Sequence, residues 1–209
     1  MLKVFLIRHG EEERIKSDNV EYQTNDSNLT IKGIEQVKKL ASKLKEFSIT
    51  EIYSSDIKRA VQTAEIINKE LNIIIKTDER LRERNIGDFE KHGDNWRKEF
   101  NKLKEKEIVR GVPLREIRPP NGENLYDFRD RIKSFLIYLS KRKGNILVSA
   151  HGGVNRAIIN FAQDWDTIIF KLIEQDYACI NILSFEDNKW NVLTVNDICH
   201  LIENEIRRL

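Results

Sequence analysis

The chain has 209 residues, 40% of them hydrophobic, and its 36 Lys and Arg nearly balance its 34 Asp and Glu. That composition suits a packed core, argues against disorder, and gives no global electrostatic case for nucleic acid or an anionic membrane as partner. No apolar stretch reaches the ~18 to 20 residues of a membrane span, and the chain enters a strand at once, so the reading expects no signal peptide.

The first element is the apolar run Leu2 to Ile7, long enough for a buried strand and too short for a helix. It leads into Arg8, His9 and Gly10, then three glutamates and a polar loop over residues 11 to 28. Thr30 is the expected N-cap of an amphipathic helix with Ile34, Val37, Leu40, Ala41, Leu44 and Phe47 on one face. EIYSS (51 to 55) reads as a second strand, IKRAVQTAEIINKEL as a helix, and NIIIKT as a third strand. Strand–helix alternation of this kind predicts a parallel sheet with helices on both faces. Residues 88 to 122 break the pattern: they are polar, helical around Trp96 to Ile108, and are read as a cap inserted over the sheet's active edge. Nine Lys and Arg against five Asp and Glu between 91 and 118 fit a solvated helix, with substrate contact by one or two of the cations as the alternative. A long helical segment over 123 to 143 follows, with Glu123 expected to start it, where a carboxylate suits the positive helix end. Then come the strand NILVSA, the helix GGVNRAIINFA, and a closing strand pair turned at Asp187 and Asn188, with Lys189 as a candidate third turn residue. The fold class is therefore α/β: a three-layer sandwich with a mostly parallel doubly wound sheet, in one domain over residues 1–209 that carries the cap. Cys179 and Cys199 match no metal or redox spacing and read as buried thiols of a reducing, cytoplasmic setting. Trp96, Trp165 and Trp190 read as packing residues, and His92 and His200 belong to no motif.

Strand ends converge along one edge of a doubly wound sheet, where such sheets hold their ligands. Arg8 and His9 end the first strand, and His151 ends another, followed by Gly152 and a helix. Arg59 falls in the first turns of the helix after EIYSS, and Glu83 follows the third strand. Two guanidiniums match the oxygens of a phosphoryl group, and glycines after each histidine let backbone N–H groups approach an anion. A neutral imidazole can be a nucleophile, a protonated one can stabilise transferred charge, and a carboxyl group can protonate a leaving oxygen. Each residue also has a plainer reading: Arg59 paired with Asp56 or Glu65, Glu83 with Arg80 or Arg84. A metal held by the histidines and a carboxylate is disfavoured, because the adjacent arginines would repel a cation.

LIRHGE, LTIKGIEQ, YSSDIKRAVQTAEII, LRERNIGDFE, NGEN and LVSAHGG, in this order, resemble the histidine phosphatase superfamily, and more narrowly its cofactor-dependent phosphoglycerate mutase-like branch. The resemblance spans residues 4 to about 160. It implies that His9 attacks phosphorus to form a phosphohistidine, that Arg8, Arg59 and His151 hold the phosphoryl oxygens, and that Glu83 protonates the leaving alcohol, with neither metal nor organic cofactor. Relatives of this branch usually follow RHGE with a threonine or serine, then a tryptophan and an asparagine. Here Glu12, Glu13, Arg14 and Ile15 stand instead, so the phosphate-binding asparagine falls at Ile15. Asn19, Asn25, Ser27 or a backbone N–H are the candidates to replace it. The usual W-E-G is Phe89, Glu90, Lys91. The extra glutamates read either as carboxylates that disfavour highly charged substrates or as a solvated loop. The favoured function is a metal-independent phosphomonoesterase acting on a small phosphorylated metabolite. Phosphoglycerate mutase and a non-catalytic module that binds a phosphorylated ligand stand as alternatives, and a homodimer is left open.

Overall fold

The computed structural model describes residues 1–17, 20–22, 26–163 and 173–206, the side chains at 15–17, 20–22, 94 and 203–206 excepted. In chain order the elements are β1 (Leu2–Arg8), β2 (Ile15–Ser17), β3 (Val20–Tyr22), α1 (Ile31–Leu44), β4 (Ile49–Ser54), α2 (Lys58–Leu71) and β5 (Ile75–Thr77). Then follow α3 (Trp96–Val109), α4 (Leu125–Leu139), β6 (Gly144–Ala150), α5 (Gly152–Ala162), β7 (Ile180–Glu186), β8 (Lys189–Asp197) and α6 (Cys199–Ile206). Among the described residues six strands make the main sheet, in the order β5-β4-β6-β1-β7-β8. β5, β4, β6 and β1 run parallel, while β7 pairs antiparallel with both β1 and β8. The α/β class holds, with a mixed, mostly parallel sheet flanked by helices. Asp187 and Asn188 alone make the last turn, both at positive φ (50° and 59°), and Lys189 already belongs to β8.

Both faces of the sheet are covered, so the central strands read as unbroken apolar runs rather than alternating ones. Leu2, Val4 and Leu6 of β1, with Ile146, Val148 and Ala150 of β6, pack against Phe128, Ile132 and Phe135 of α4 and Val154 and Ile158 of α5. Phe5 and Ile7, with Ile52 and Leu147, face Val37, Leu40 and Leu44 of α1 and Ala64 and Ile67 of α2. Thr30 caps α1 as expected, its side chain accepting from Gly33 N–H.

Several local expectations are corrected. The polar loop contains a short antiparallel hairpin, β2–β3, whose three-residue strands give no periodic signal. The fourth helix starts at Leu125, not at Glu123: Asn124 is its N-cap in a reciprocal capping box with Asp127, which leaves Glu123 outside the helix. Cys179 is buried, but Cys199, at the start of α6, is exposed. Residues 88 to 122 hold a 3₁₀ stretch (Gly87–Asn95) and α3, whose exposed face carries Lys102–Glu99 and Arg110–Glu107 pairs, as a solvated helix should. Trp96 lies against Phe100 and Trp190 against Phe185; Trp165 falls outside the described residues. His92 lies against Phe89, and His200 is buried. Among the described residues no helix is long and apolar enough to cross a membrane.

Candidate active site

The parallel register builds the site. Arg8 pairs with Ala150 across β1 and β6, and Ser54 with Ser149 across β4 and β6, so the next residues, His9, His151 and Ser55, emerge side by side at the carboxyl ends of three neighbouring strands. The rings of His9 and His151 stand edge to face, 5.1 Å between centroids, and both residues are buried. His9 Nδ1 lies 2.8 Å from the Gly10 carbonyl, an acceptor only, so this nitrogen carries the proton. Nε2 is then the lone-pair nitrogen, and Arg59 Nε donates to it at 3.2 Å. Ser55 Oγ lies 2.9 Å from His151 Nε2 and fixes that ring. Burial first, then the guanidiniums of Arg59 and Arg8, hold His9 well below the ordinary histidine pKa. The Gly10 carbonyl acts weakly against them. His151 is depressed likewise, by burial, Arg59, His9 and Arg8. Both imidazoles are therefore neutral near pH 7.

Arg59 is 2% exposed and turned into the sheet's edge, not out along the helix surface. Asp56 pairs with Arg82 instead. Arg8 donates Nη1 to the Gln175 carbonyl at 2.6 Å and stacks 3.9 Å over the Tyr177 ring. Its Nε is buried without a partner among the described residues, beside Gly152.

Glu83 reaches the same edge. Its Oε2 accepts from Gly153 N–H at 2.9 Å, at the N-terminus of α5, and its Oε1 accepts from Arg84 N–H at 3.0 Å. Arg80 pairs with Asp78, and the Arg84 guanidinium lies over Phe100, so neither forms a direct ion pair with Glu83, although the Arg84 charge is felt there. The five residues singled out in the sequence, Arg8, His9, Arg59, Glu83 and His151, thus converge, together with Gly152.

The sequence reading missed the residues that hold them. Arg131 of α4 donates to the Arg80 and Glu83 carbonyls at 2.7 and 3.1 Å and grips Glu123 at 2.7 and 3.0 Å. It thereby ties the Glu83 segment to the helix. Gly153 lets Glu83 dock: a Cβ there would stand 2.2 Å from Oε1. Gly10 serves a different end from the one expected. Its N–H donates to Thr63 Oγ1, and a Cβ would strike the Gly33 carbonyl at 2.6 Å, so this glycine admits α1 rather than an anion. Glu12 is buried beside His9, which overturns the solvated-loop reading for that residue. The tandem GG after His151 was a visible signal for Gly153, and Glu12 stood out as a departure from its relatives' pattern; nothing local marks Arg131. Of the candidates to replace the asparagine, Ser27 is buried, Asn19 and Asn25 lie outside the described residues, and so does the Ile15 side chain.

Chemically, the arrangement gathers an imidazole nitrogen with a lone pair, two guanidiniums, a second imidazole and a carboxyl group at one edge of the sheet. The chain is 39% identical to a protein of Shigella boydii serotype 18 named probable phosphoglycerate mutase GpmB, over 96% of this chain and 95% of that one. In fold it is similar to an Escherichia coli protein described as a putative alpha-ribazole-5'-P phosphatase (TM-score 0.78, 24% identity, 94% and 97% of the two chains). It is also similar in fold to an Entamoeba histolytica phosphoserine phosphatase (TM-score 0.77, 23% identity, 96% and 100%). The family model described as histidine phosphatase superfamily (branch 1) matches residues 4–198, and the chain belongs to that superfamily.

Proposed function

We propose that this protein is a metal-independent phosphomonoesterase that acts through a phosphohistidine on a small phosphorylated metabolite. The observation that carries the reading is the state of His9: Nδ1 protonated toward the Gly10 carbonyl, Nε2 free to attack, and Arg59 in contact with that same nitrogen. In this reading an entering phosphoryl group takes over Arg59, and Arg8, with its orphaned Nε, completes the clamp with His151 and the Gly152 N–H. Glu83 gives its proton to the leaving oxygen and later takes one from water. Two arginines give a metal cation no welcome here, and the clamp already supplies positive charge. Residues 88–122 act as a cap over the edge, and residues 1–209 as one domain.

A mutase is the second reading, and the observation that favours it is the curated name of the 39% identical relative. A mutase must shield its phosphoenzyme from water, whereas a phosphatase admits water. Phosphate release from p-nitrophenyl phosphate and a panel of phosphomonoesters, with a chelator present, tests the proposal in wild type and His9→Ala. Chelator-resistant release that the substitution abolishes is the expected result. No hydrolysis, together with interconversion of phosphoglycerates in the presence of a bisphosphate primer, would favour the mutase. Release that persisted in His9→Ala would exclude His9 as the nucleophile.

A further inference from the structure

The loop after His9 buries a carboxylate where the site otherwise gathers positive charge. Backbone pairing explains why it points inward. Thr30 N–H donates to the Glu11 carbonyl at 2.9 Å, Glu12 bridges Leu29, and Glu13 N–H donates to the Asn28 carbonyl at 2.8 Å. Residues 11–13 therefore run extended against 28–30, and successive side chains alternate in direction. Glu11 reaches Lys32 and Thr30, and Glu13 is exposed. The Glu12 side chain is only 1% exposed. Its Oε1 accepts from the Tyr177 hydroxyl at 3.1 Å. Its Oε2 lies 3.6 Å from His9 Nδ1, buried and without a hydrogen-bond donor among the described residues.

The groups facing this carboxylate are His9 from the end of β1, Arg59 from α2 and Tyr177 from the segment before β7. Arg8 stacks on Tyr177, Arg14 reaches its hydroxyl, and His151 stands beyond His9. A buried carboxylate oxygen without a donor costs stability, and a negative charge beside a phosphoryl site opposes substrate. Both costs need a compensating use.

We propose that Glu12 is a positioning residue for His9: it holds the imidazole with its proton on Nδ1 and balances the positive charge that grows on the ring as Nε2 bonds to phosphorus. The inference rests on the phosphohistidine reading above. In that step the Nε2 lone pair forms the N–P bond and the P–O ester bond breaks. The bonding pair leaves with the oxygen, which takes the Glu83 proton. Nδ1 keeps its own proton, so the ring passes from neutral to cationic. A carboxylate 3.6 Å from Nδ1 interacts weakly with the neutral ring and strongly with the cation, so it favours the transition state over the ground state. The threonine or serine that relatives carry here has no charge to give.

Rapid-quench phosphoenzyme formation, sulfate binding and thermal melting test this on wild type, Glu12→Gln, Glu12→Asp and His9→Ala. In Glu12→Gln the phosphorylation rate is expected to fall roughly tenfold or more. Affinity for sulfate, which forms no bond to Nε2, should hold or tighten, Tm should hold or rise, and Glu12→Asp should recover part of the rate. An unchanged rate overturns the proposal. A faster rate with tighter sulfate also overturns it, since Glu12 would then only repel anions. Joint loss of Tm, sulfate binding and rate would reduce Glu12 to a packing role. If the wild type itself forms no acid-labile phosphoprotein, the phosphohistidine reading fails instead, and His9→Ala supplies the blank for that assay.

Discussion

Arg59 concentrates the conflict on which this site is built. It is buried, it donates to Nε2 of His9, and its charge depresses both histidines. Burial pushes its own pKa down, while Glu12 and Glu83 act against that. Arg59→Met keeps much of the volume and removes the charge. It is expected to lower kcat/KM on any phosphomonoester by about 10²- to 10³-fold, the usual scale for one transition-state donor. It should also raise the pKa of His9 and His151, because a like charge beside each has gone. Side-chain NMR titration reads this directly; histidines that titrate no higher than in wild type would refute the electrostatic account. Arg59 was legible in the sequence because its helix follows a strand end at a recognisable spacing. Glu12 and Tyr177 were not, because their roles depend on 165 residues of chain returning to one point, which no local pattern encodes.

At the scale of elements, Glu83, the acid of the proposed reaction, is held by two helices as well as by its own loop. Arg131 on α4 grips the carbonyls of Arg80 and Glu83, while the first turn of α5 presents Gly153 N–H to the carboxylate. Gly153→Ala puts a methyl group where Oε1 now sits and should displace the carboxylate while leaving the phosphate clamp intact. Hydrolysis of alkyl phosphates, whose alkoxides need a proton to leave, is expected to slow by about 10²-fold. Hydrolysis of p-nitrophenyl phosphate should change little, since its phenolate leaves unaided. Equal losses on both substrates would mean that the substitution disturbs the clamp instead. The long elements were readable because apolar periodicity runs through each of them. The β2–β3 hairpin has strands too short to show a period, and α4 begins at Leu125, capped by Asn124, because a capping box outweighs the general preference for acid at a helix start.

For the whole molecule, two buried histidines beside two arginines should make the fold sensitive to acid. His9 and His151 stay neutral in the fold because burial and the arginines depress them, whereas in the unfolded chain both protonate below about pH 6.5. The unfolded state then binds more protons, so stability falls as pH drops below that value. The loss is up to about 1.4 kcal/mol per pH unit for each histidine until its folded pKa is reached. Tm should therefore decline between pH 7 and pH 5, with Glu90, which burial pushes up, acting in the opposite sense. His9→Asn and His151→Asn should each remove about half of the slope. An anion in the clamp reverses the argument: it offsets the guanidinium field, lets the imidazoles accept protons in the folded state, and stabilises that state by mass action. Sulfate suits the measurement because it stays a dianion across this range. Melts in sulfate, against chloride at matched ionic strength, should lose most of their pH dependence in wild type and change little in the double His→Asn variant. A wild-type profile already flat in chloride would mean that the folded histidines titrate as in the unfolded chain, which would refute the depression of His9 and His151 by burial and the arginines.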